Sequence, residues 1–129
     1  MKPIELDVHT HTVASGHAYA TLTEMAKAAS QKGLKLLGIT EHTKGIAGTC
    51  EDIYFVKLKV VPRQMFGIEL MLGAEINILD YKGTLSLGKQ YMKHLDLRIA
   101  GIHKMCYKPG TPRQNTDAVL GAIANPEVD

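Results

Sequence analysis

The feature that most constrains the fold is a rhythm of strand, loop and helix that is repeated four times. Four apolar runs begin near Ile4, Leu34, Ile68 and Leu97, and a loop with helical spacing follows each one. Alternating strands and helices are typical of a parallel sheet that carries its helices on the outside. Right-handed crossovers should place the four strands side by side in chain order or nearly so. We therefore expect an α/β fold of about four βα units, in a single domain over residues 1–129.

The strand signals differ along the chain. Ile4, Leu6 and Val8 alternate with polar residues, which predicts a strand with one apolar and one polar face. Three later runs are mostly apolar, as in the buried strands of parallel sheets: 34–40, 68–78 and 97–102. Gly73 indicates a bend or bulge inside the third strand.

The helix signals lie between these strands. Thr21 to Glu24 has the capping-box pattern, and Gly33 suits the position that ends a helix. The remaining helices are predicted over three segments: 52–59, 86–94, and from a cap at Asn115 or Thr116 to Ala124.

Composition and charge narrow the class of protein. Fifteen Lys and Arg against thirteen Asp and Glu leave a net charge of +2, too balanced to predict a nucleic-acid partner. Two cysteines form no disulfide framework, and the charged first residues do not resemble a signal peptide. No apolar run approaches the length of a membrane span. We expect a soluble, cytoplasmic protein with no membrane partner.

Metal-competent side chains lie where each strand ends. His9 and His11 come at and just beyond the end of the first strand, and His42 follows the second. Glu75 lies late in the third strand, and His103 directly follows the fourth. The carboxyl ends of parallel strands are where β/α proteins build their active sites. Each of these residues alone is more often structural, but their convergence predicts a metal site.

The carboxylate of Glu75 gives a further argument for a metal, and a loop histidine is a further candidate ligand. Glu75 is flanked by apolar residues, so its carboxylate needs a partner when buried. A metal, or two metals bridged by its two oxygens, would serve, and the alternative is an ion pair with Lys or Arg from another strand. His17 could fold back over the strand ends, although by itself it is a plain loop histidine.

Further polar residues near the strand ends have weaker signals. Asp7 shares a face with His9 and could orient its ring, or it is a surface carboxylate. Lys104 and Arg113 make the fourth loop basic and could receive a phosphate, although a solvated loop explains them equally well. Cys106 is interpreted as a free thiol and His94 as a surface residue.

The residues around these side chains form short motifs, and their order along the chain is distinctive. They are Asp7–Thr12 (DVHTHT), Ser15–His17 (SGH), Gly38–His42 (GITEH), Gly73–Glu75 (GAE) and Ala100–His103 (AGIH). Together they resemble the polymerase-and-histidinol-phosphatase (PHP) superfamily and, more narrowly, its YcdX-like phosphatase branch. The resemblance covers essentially the whole chain. It implies the N-terminal portion of a distorted (β/α)7 barrel, incomplete at its C-terminus.

The resemblance also implies a set of metal ligands. The family pattern falls on six residues: His9, His11, His17, His42, Glu75 and His103. The first two would hold one metal. The carboxylate would bridge that metal to a second one, which the last histidine also binds, and the remaining two histidines would hold a third. Zinc is the first choice, and manganese or iron is the alternative, because imidazole and carboxylate suit all three.

The implied activity is metal-dependent hydrolysis of phosphoric monoesters, with a metal-bound hydroxide as the nucleophile and a small phosphorylated substrate. Two alternatives remain: a non-catalytic metal-binding or assembly module, and a nuclease of the PHP type. The sequence departs from the family at Glu41, where Asp is usual, and at Lys104, where an acidic residue is expected. Further family ligands would follow Asp129. We therefore expect the chain alone to be a poor enzyme. Its open sheet edges could pair with a second copy (self-association), pair with another chain or stay exposed to water.

Overall fold

Five strands form one sheet in the computed structural model, which describes residues 3–129. They are β1 (Leu6–Thr10), β2 (Leu36–His42), β3 (Gln64–Met65), β4 (Ile68–Asn77) and β5 (Leu97–Gly101). The four long strands are parallel and lie in the order β1, β2, β4, β5, which is their order along the chain. The sheet curls into a half-barrel with helices beside it, and the expected partial β/α barrel is confirmed.

One strand was not predicted. The short strand β3 pairs antiparallel with the start of β4 through a tight turn at Phe66 and Gly67. Both turn residues have a positive φ, 52° and 78°, which is typical of a two-residue hairpin. This hairpin covers part of the β4 edge that lies before β5 begins to pair.

Three α-helices lie between strands and a fourth follows β5: α1 (Leu22–Gln31), α2 (Ile53–Lys57), α3 (Lys89–Met92) and then α4 (Pro112–Ile123). The predicted capping box is present at α1, where Glu24 Oε2 accepts the backbone N–H of Thr21 at 2.7 Å. None of the helices found in residues 3–129 is long and apolar enough to cross a bilayer.

Two helix predictions were wrong in their bounds. The last helix begins at Pro112 and is capped by Thr111, because Gln114 completes a second capping box. The side chain of Asn115 instead accepts the backbone N–H of Gly110 at 2.9 Å. The helix expected over 86–94 is a single turn, α3, that begins after Gly88.

The main core lies between the sheet and helices α1, α2 and α3. Alternate side chains of β2 and β4 face this core, and they are fully or nearly fully buried: Leu37, Ile39, Leu70, Leu72, Ala74 and Ile76. Since side chains alternate along a strand, the intervening residues of β4 face the opposite, concave side of the sheet. Glu75 belongs to this second set and therefore points away from the apolar core.

Asp129, the last residue of the sequence, forms hydrogen bonds with the backbone of the edge strand β5. The backbone N–H of Arg98 donates to Asp129 Oδ2 at 2.9 Å, and the backbone N–H of Asp129 donates to the Arg98 carbonyl at 3.0 Å. The Arg98 guanidinium also donates to both carboxylate oxygens of Asp129. Asp129 thus occupies the place that a neighbouring strand would take along β5.

The irregularity in the sheet lies in β1 and not at Gly73. The register of β2 and β4 is continuous from Leu36 opposite Glu69 to His42 opposite Glu75, so the bulge expected at Gly73 is absent from this ladder. The register shift instead separates Asp7 and Thr10 of β1. A Cβ atom at Gly73 would lie 1.9 Å from the carbonyl oxygen of Leu97, which explains why the smallest residue is needed there.

We expect Gly73→Ala to lower the free energy of unfolding by about 3 kcal/mol, because a methyl group would force β4 and β5 apart. Gly33→Ala is the matched control, since a Cβ there meets no atom within 4 Å and only the left-handed backbone is strained. Its expected cost is about 1 kcal/mol. Urea unfolding of both variants measures the difference, and equal losses would contradict the close approach of Leu97.

Candidate metal centre

The parallel register brings the chemically reactive strand ends together. His42, the last residue of β2, lies directly opposite Glu75 on β4. Glu75 in turn lies opposite Ile99 on β5, and the chain leaves that strand at Gly101, two residues before His103. Strand β1 ends at Thr10 on the other side of β2. Three neighbouring ladders therefore place the strand ends around Glu75.

Four imidazoles, carried by three segments of the chain, contact the carboxylate of Glu75. Its Oε2 atom lies 3.1 Å from His9 Nε2, 3.2 Å from His11 Nε2 and 3.2 Å from His42 Nδ1. Its Oε1 atom lies 3.1 Å from His103 Nε2. Within residues 3–129 every ion-pair partner of this carboxylate is a histidine. The alternative, a Lys or Arg partner from another strand, is therefore not found in the described part of the chain.

His17 joins the cluster from the loop that follows β1. The centre of its ring lies 4.8 Å from the ring centre of His42 and 5.3 Å from that of His11. The preceding residue, Gly16, has a φ of 79°, and a Cβ atom there would lie 2.4 Å from the backbone of Gly48. The absence of a side chain at Gly16 thus lets the loop pack against the backbone of Gly48.

The ligand atoms of the cluster form three overlapping groups, each within 4.8 Å. One contains His9, His11 and Glu75, a second His42, Glu75 and His103, and a third His11, His17 and His42. All six candidate ligands thus lie together. The grouping differs in two respects from the set that the resemblance implies. His42 lies with Glu75 and His103 as well as with His17, and His11 lies with His17 and His42 as well as with His9.

The ionisable side chains of this cluster shift one another's pKa values. Burial by itself raises the pKa of Glu75, but the close contacts with the rings of His11 and His9 and the charges of His42 and His103 together outweigh it. As a result the pKa of Glu75 falls from 4.5 to about 2. Burial lowers the pKa of His42 from 6.5 to about 4, and the neighbouring histidines add to this effect while Glu75 opposes it. At neutral pH the centre thus holds an ionised carboxylate beside a neutral His42.

The donor set fits a divalent metal ion. Two ligands that each lie about 2.0–2.1 Å from a tetrahedral ion are about 3.3 Å apart. The nitrogen–oxygen distances around Glu75 are 3.1–3.2 Å, close to that separation. In addition, His42 Nδ1 is buried and forms no hydrogen bond with any described residue, because its contact with Glu75 is not aligned as one. An unpaired buried nitrogen beside a carboxylate is the arrangement that a cation would complete.

The other residues singled out by sequence lie outside the cluster. The Asp7 carboxylate accepts the backbone N–H of His9 at 3.1 Å and so is bonded to backbone and not to a ring. Lys104 is exposed beside His103, whereas Arg113 pairs with Asp117 of its own helix and is 88% exposed. The thiol of Cys106 is free and belongs to none of the ligand groups among the described residues.

A buried polar network behind the cluster was not predicted. Glu41 is 0% exposed, and its carboxylate accepts hydrogen bonds from the backbone N–H and hydroxyl of Thr12 and from the hydroxyl of Ser15. The signal was available in the sequence, because a glutamate inside an apolar strand must find hydrogen-bond partners. Its partners come from the loop after β1, about 30 residues earlier, and spacing alone does not identify them.

Comparison with known proteins agrees with this geometry. The sequence matches the PHP domain family over residues 7–124. The chain belongs to the PHP family. It is 51% identical over 124 residues to a probable phosphatase of Clostridium novyi (strain NT), an alignment that covers 96% of this chain and 51% of the relative.

Two further relatives have the same description. Probable phosphatases of Caldicellulosiruptor saccharolyticus and Acetivibrio thermocellus are 45% and 41% identical, and the alignments cover 97% and 96% of this chain. In both cases the alignment covers 52% of the relative. The chain thus spans about half the length of the curated relatives it matches. The PHP resemblance inferred from the motifs is confirmed.

We expect Glu75→Gln to weaken zinc binding at least 10-fold, because the substitution removes the charge shared by two of the three ligand groups. Glu69→Gln is the matched control, since it changes an exposed glutamate of the same strand at the same parity. Equilibrium dialysis followed by elemental analysis measures the bound metal. Equal zinc affinities for the two variants would contradict a metal centre at Glu75.

We also expect the metal-free chain to lose stability in acid. The unfolded chain binds a proton at His42 between pH 6.5 and about 4, and at Glu75 between pH 4.5 and about 2, whereas the folded chain does not. Since the unfolded state binds more protons, the free energy of unfolding falls as the pH falls through these windows. Urea unfolding at a series of pH values measures the slope. His42→Gln should reduce the fall in the free energy of unfolding between pH 6.5 and about 4, whereas His94→Gln, at an exposed histidine, should not. A free energy of unfolding that does not change with pH in the unmodified chain would contradict this prediction.

Proposed function

We propose that this chain carries the metal-binding part of a hydrolase that acts on phosphoric monoesters. The observation that carries the proposal is the contact of one buried carboxylate, Glu75, with four imidazoles from neighbouring strand ends. Membership of the PHP family and the relatives described as probable phosphatases support the reaction class. The substrate we propose is a small phosphorylated molecule.

The proposed cofactors are divalent metal ions, up to three in a complete site. Zinc is our first choice because the donors are imidazoles and a carboxylate, and manganese or iron would also accept them. His9 and His11 would share Glu75 with His42 and His103, while His17 would complete the group that it forms with His11 and His42. Two free cysteines, Cys50 and Cys106, agree with a reducing, cytoplasmic location.

Phosphate monoesters hydrolyse extremely slowly in water, so the site must lower a large barrier. Bound divalent ions would supply the Lewis acidity that activates water and neutralises charge on the phosphoryl oxygens. The protein residues supply position: Glu75 presents one oxygen to His11 and the other to His103, so it would help to hold a divalent ion with either histidine. No serine, cysteine or carboxylate nucleophile is required for this chemistry.

Two basic residues were candidates for holding the phosphate. Lys104 directly follows His103 and is exposed at the same rim, where its ammonium group can approach a phosphate as a point charge. Arg113 would first have to leave Asp117, 3.6 Å from its Nε atom. We therefore assign phosphate binding to Lys104 ahead of Arg113.

A second function is favoured by one observation. The chain spans about half the length of its curated relatives, so its ligands could serve a metal-binding or assembly module without turnover. A nuclease is the weaker alternative, because a net charge of +2 offers little attraction for a polyanion.

The test is hydrolysis of an aryl phosphate monoester by the zinc- or manganese-loaded chain, with an aryl phosphodiester measured in parallel. We expect slow monoester turnover that chelation abolishes and that Glu75→Gln lowers by about 100-fold, while Glu69→Gln leaves it unchanged. The full-length Clostridium novyi relative should be much faster than this chain under the same conditions.

The alternatives give different results in the same assay. Stoichiometric metal binding without turnover would identify the non-catalytic module, and preferred cleavage of the diester would identify the nuclease. Turnover that survives both chelation and Glu75→Gln would rule out the proposed site.

A further inference from the structure

We propose that Ser15 is a positioning residue, which fixes the proton of His11 on Nδ1 and so leaves Nε2 free to bind a cation. Its hydroxyl is fully buried and lies at the centre of the network behind the cluster. The Oγ atom is 2.5 Å from Glu41 Oε2, 3.0 Å from the backbone nitrogen of His42 and 2.9 Å from His11 Nδ1. Only the use of the free nitrogen as a metal ligand rests on the proposed function.

The argument is a count of protons and lone pairs. A serine hydroxyl has one proton to donate and two lone pairs that accept. The backbone N–H of His42 can only donate, so it occupies one lone pair. The carboxylate of Glu41 can only accept, so it takes the hydroxyl proton. The remaining lone pair faces His11 Nδ1, which must therefore carry a proton.

Glu41 sets the direction of this network. Its carboxylate is 0% exposed, and all of its hydrogen-bond partners among the described residues belong to Thr12 and Ser15. Turning the Ser15 proton toward His11 would place hydroxyl and carboxylate lone pairs in contact at 2.5 Å. Leaving a buried charged acceptor short of a donor is costly, so the proton of Ser15 stays on the side of Glu41.

The consequence appears at the other end of the ring. With Nδ1 protonated, the neutral ring of His11 presents a lone pair at Nε2, 3.2 Å from Glu75 Oε2. Two acceptors at this distance repel each other unless a cation lies between them. Without the acceptor at Ser15, the proton would move to Nε2, where Glu75 accepts it. A metal ion would then have to displace that proton before binding.

The first test measures the position of the proton directly. ¹⁵N NMR of the histidine rings in the metal-free chain at about pH 9, where ordinary imidazoles are neutral, distinguishes the two tautomers. We expect Nδ1–H for His11 in the unmodified chain and Nε2–H in Ser15→Ala. Thr12→Val is the matched control, because it removes another buried hydroxyl bond to Glu41 but leaves Ser15 beside His11. It should retain Nδ1–H.

The second test measures zinc affinity by competition with a chromophoric chelator. Ser15→Ala should weaken zinc binding roughly 10- to 100-fold, and Thr12→Val should change it by less than about 3-fold. A purely structural role for Ser15 would lower the stability of Ser15→Ala without moving the His11 proton.

Each outcome decides the proposal. Nε2–H in the unmodified chain overturns it, even if Ser15→Ala does not fold, and so does retention of Nδ1–H in Ser15→Ala. A tautomer change with unaltered zinc affinity refutes the link to the metal. Failure of the chain to bind zinc would refute the proposed function, while the NMR result would still decide the role of Ser15.

Discussion

The contact between the Glu75 carboxylate and its surrounding imidazoles is the interaction on which the site depends. A carboxylate on a central strand is costly to bury, and here its compensation comes from histidines on both sides of that strand. Those histidines reach it only because β2, β4 and β5 end at the same edge of a parallel sheet. The register of the sheet therefore determines whether the site can form, because a shift of one residue would turn Glu75 into the apolar core.

Small residues make this geometry accessible. Gly73 lets the carbonyl of Leu97 approach β4, and Gly16 lets the loop that carries His17 lie against Gly48. Gly38 has a similar role between β1 and β2, since a Cβ atom there would lie 2.6 Å from the Cα atom of Val8. In each case the contact involves backbone atoms, which cannot move aside as a flexible side chain can. The glycines of the sequence motifs thus determine how closely the ligand-bearing segments can pack.

Sequence patterns predicted the features that depend on periodicity. The four long strands, the capping box before Leu22 and the convergence of His42, Glu75 and His103 follow from local spacing and the rule for parallel strand ends. Features that depend on tertiary distance were missed. The last helix was predicted to be capped by Asn115 or Thr116, whereas Thr111 caps it and the side chain of Asn115 bonds back to the loop at Gly110.

The network of Thr12, Ser15 and Glu41 shows the same limit. A buried glutamate is recognisable in an apolar strand, but its donors lie on a different strand-end loop that only the fold brings near. Asp7 illustrates the converse. It shares strand β1 with His9, yet its carboxylate accepts the backbone N–H of His9 and not a ring N–H, at the place where the register of β1 shifts. Alternation along a strand therefore does not by itself identify what a side chain contacts.

Strand β1 lies at the edge of the sheet, and most of its residues are exposed, including Leu6 at 55% and Val8 at 36%. An edge with so little buried area opens at a lower free energy than the central strands. Yet this strand delivers His9 and leads directly into His11, whose ring nitrogens meet the carboxylate two strands away. A cation held by these groups would act as a non-covalent crosslink from the rim to the centre of the sheet. Ion occupancy and the ordering of this edge would then rise and fall together, by mass action.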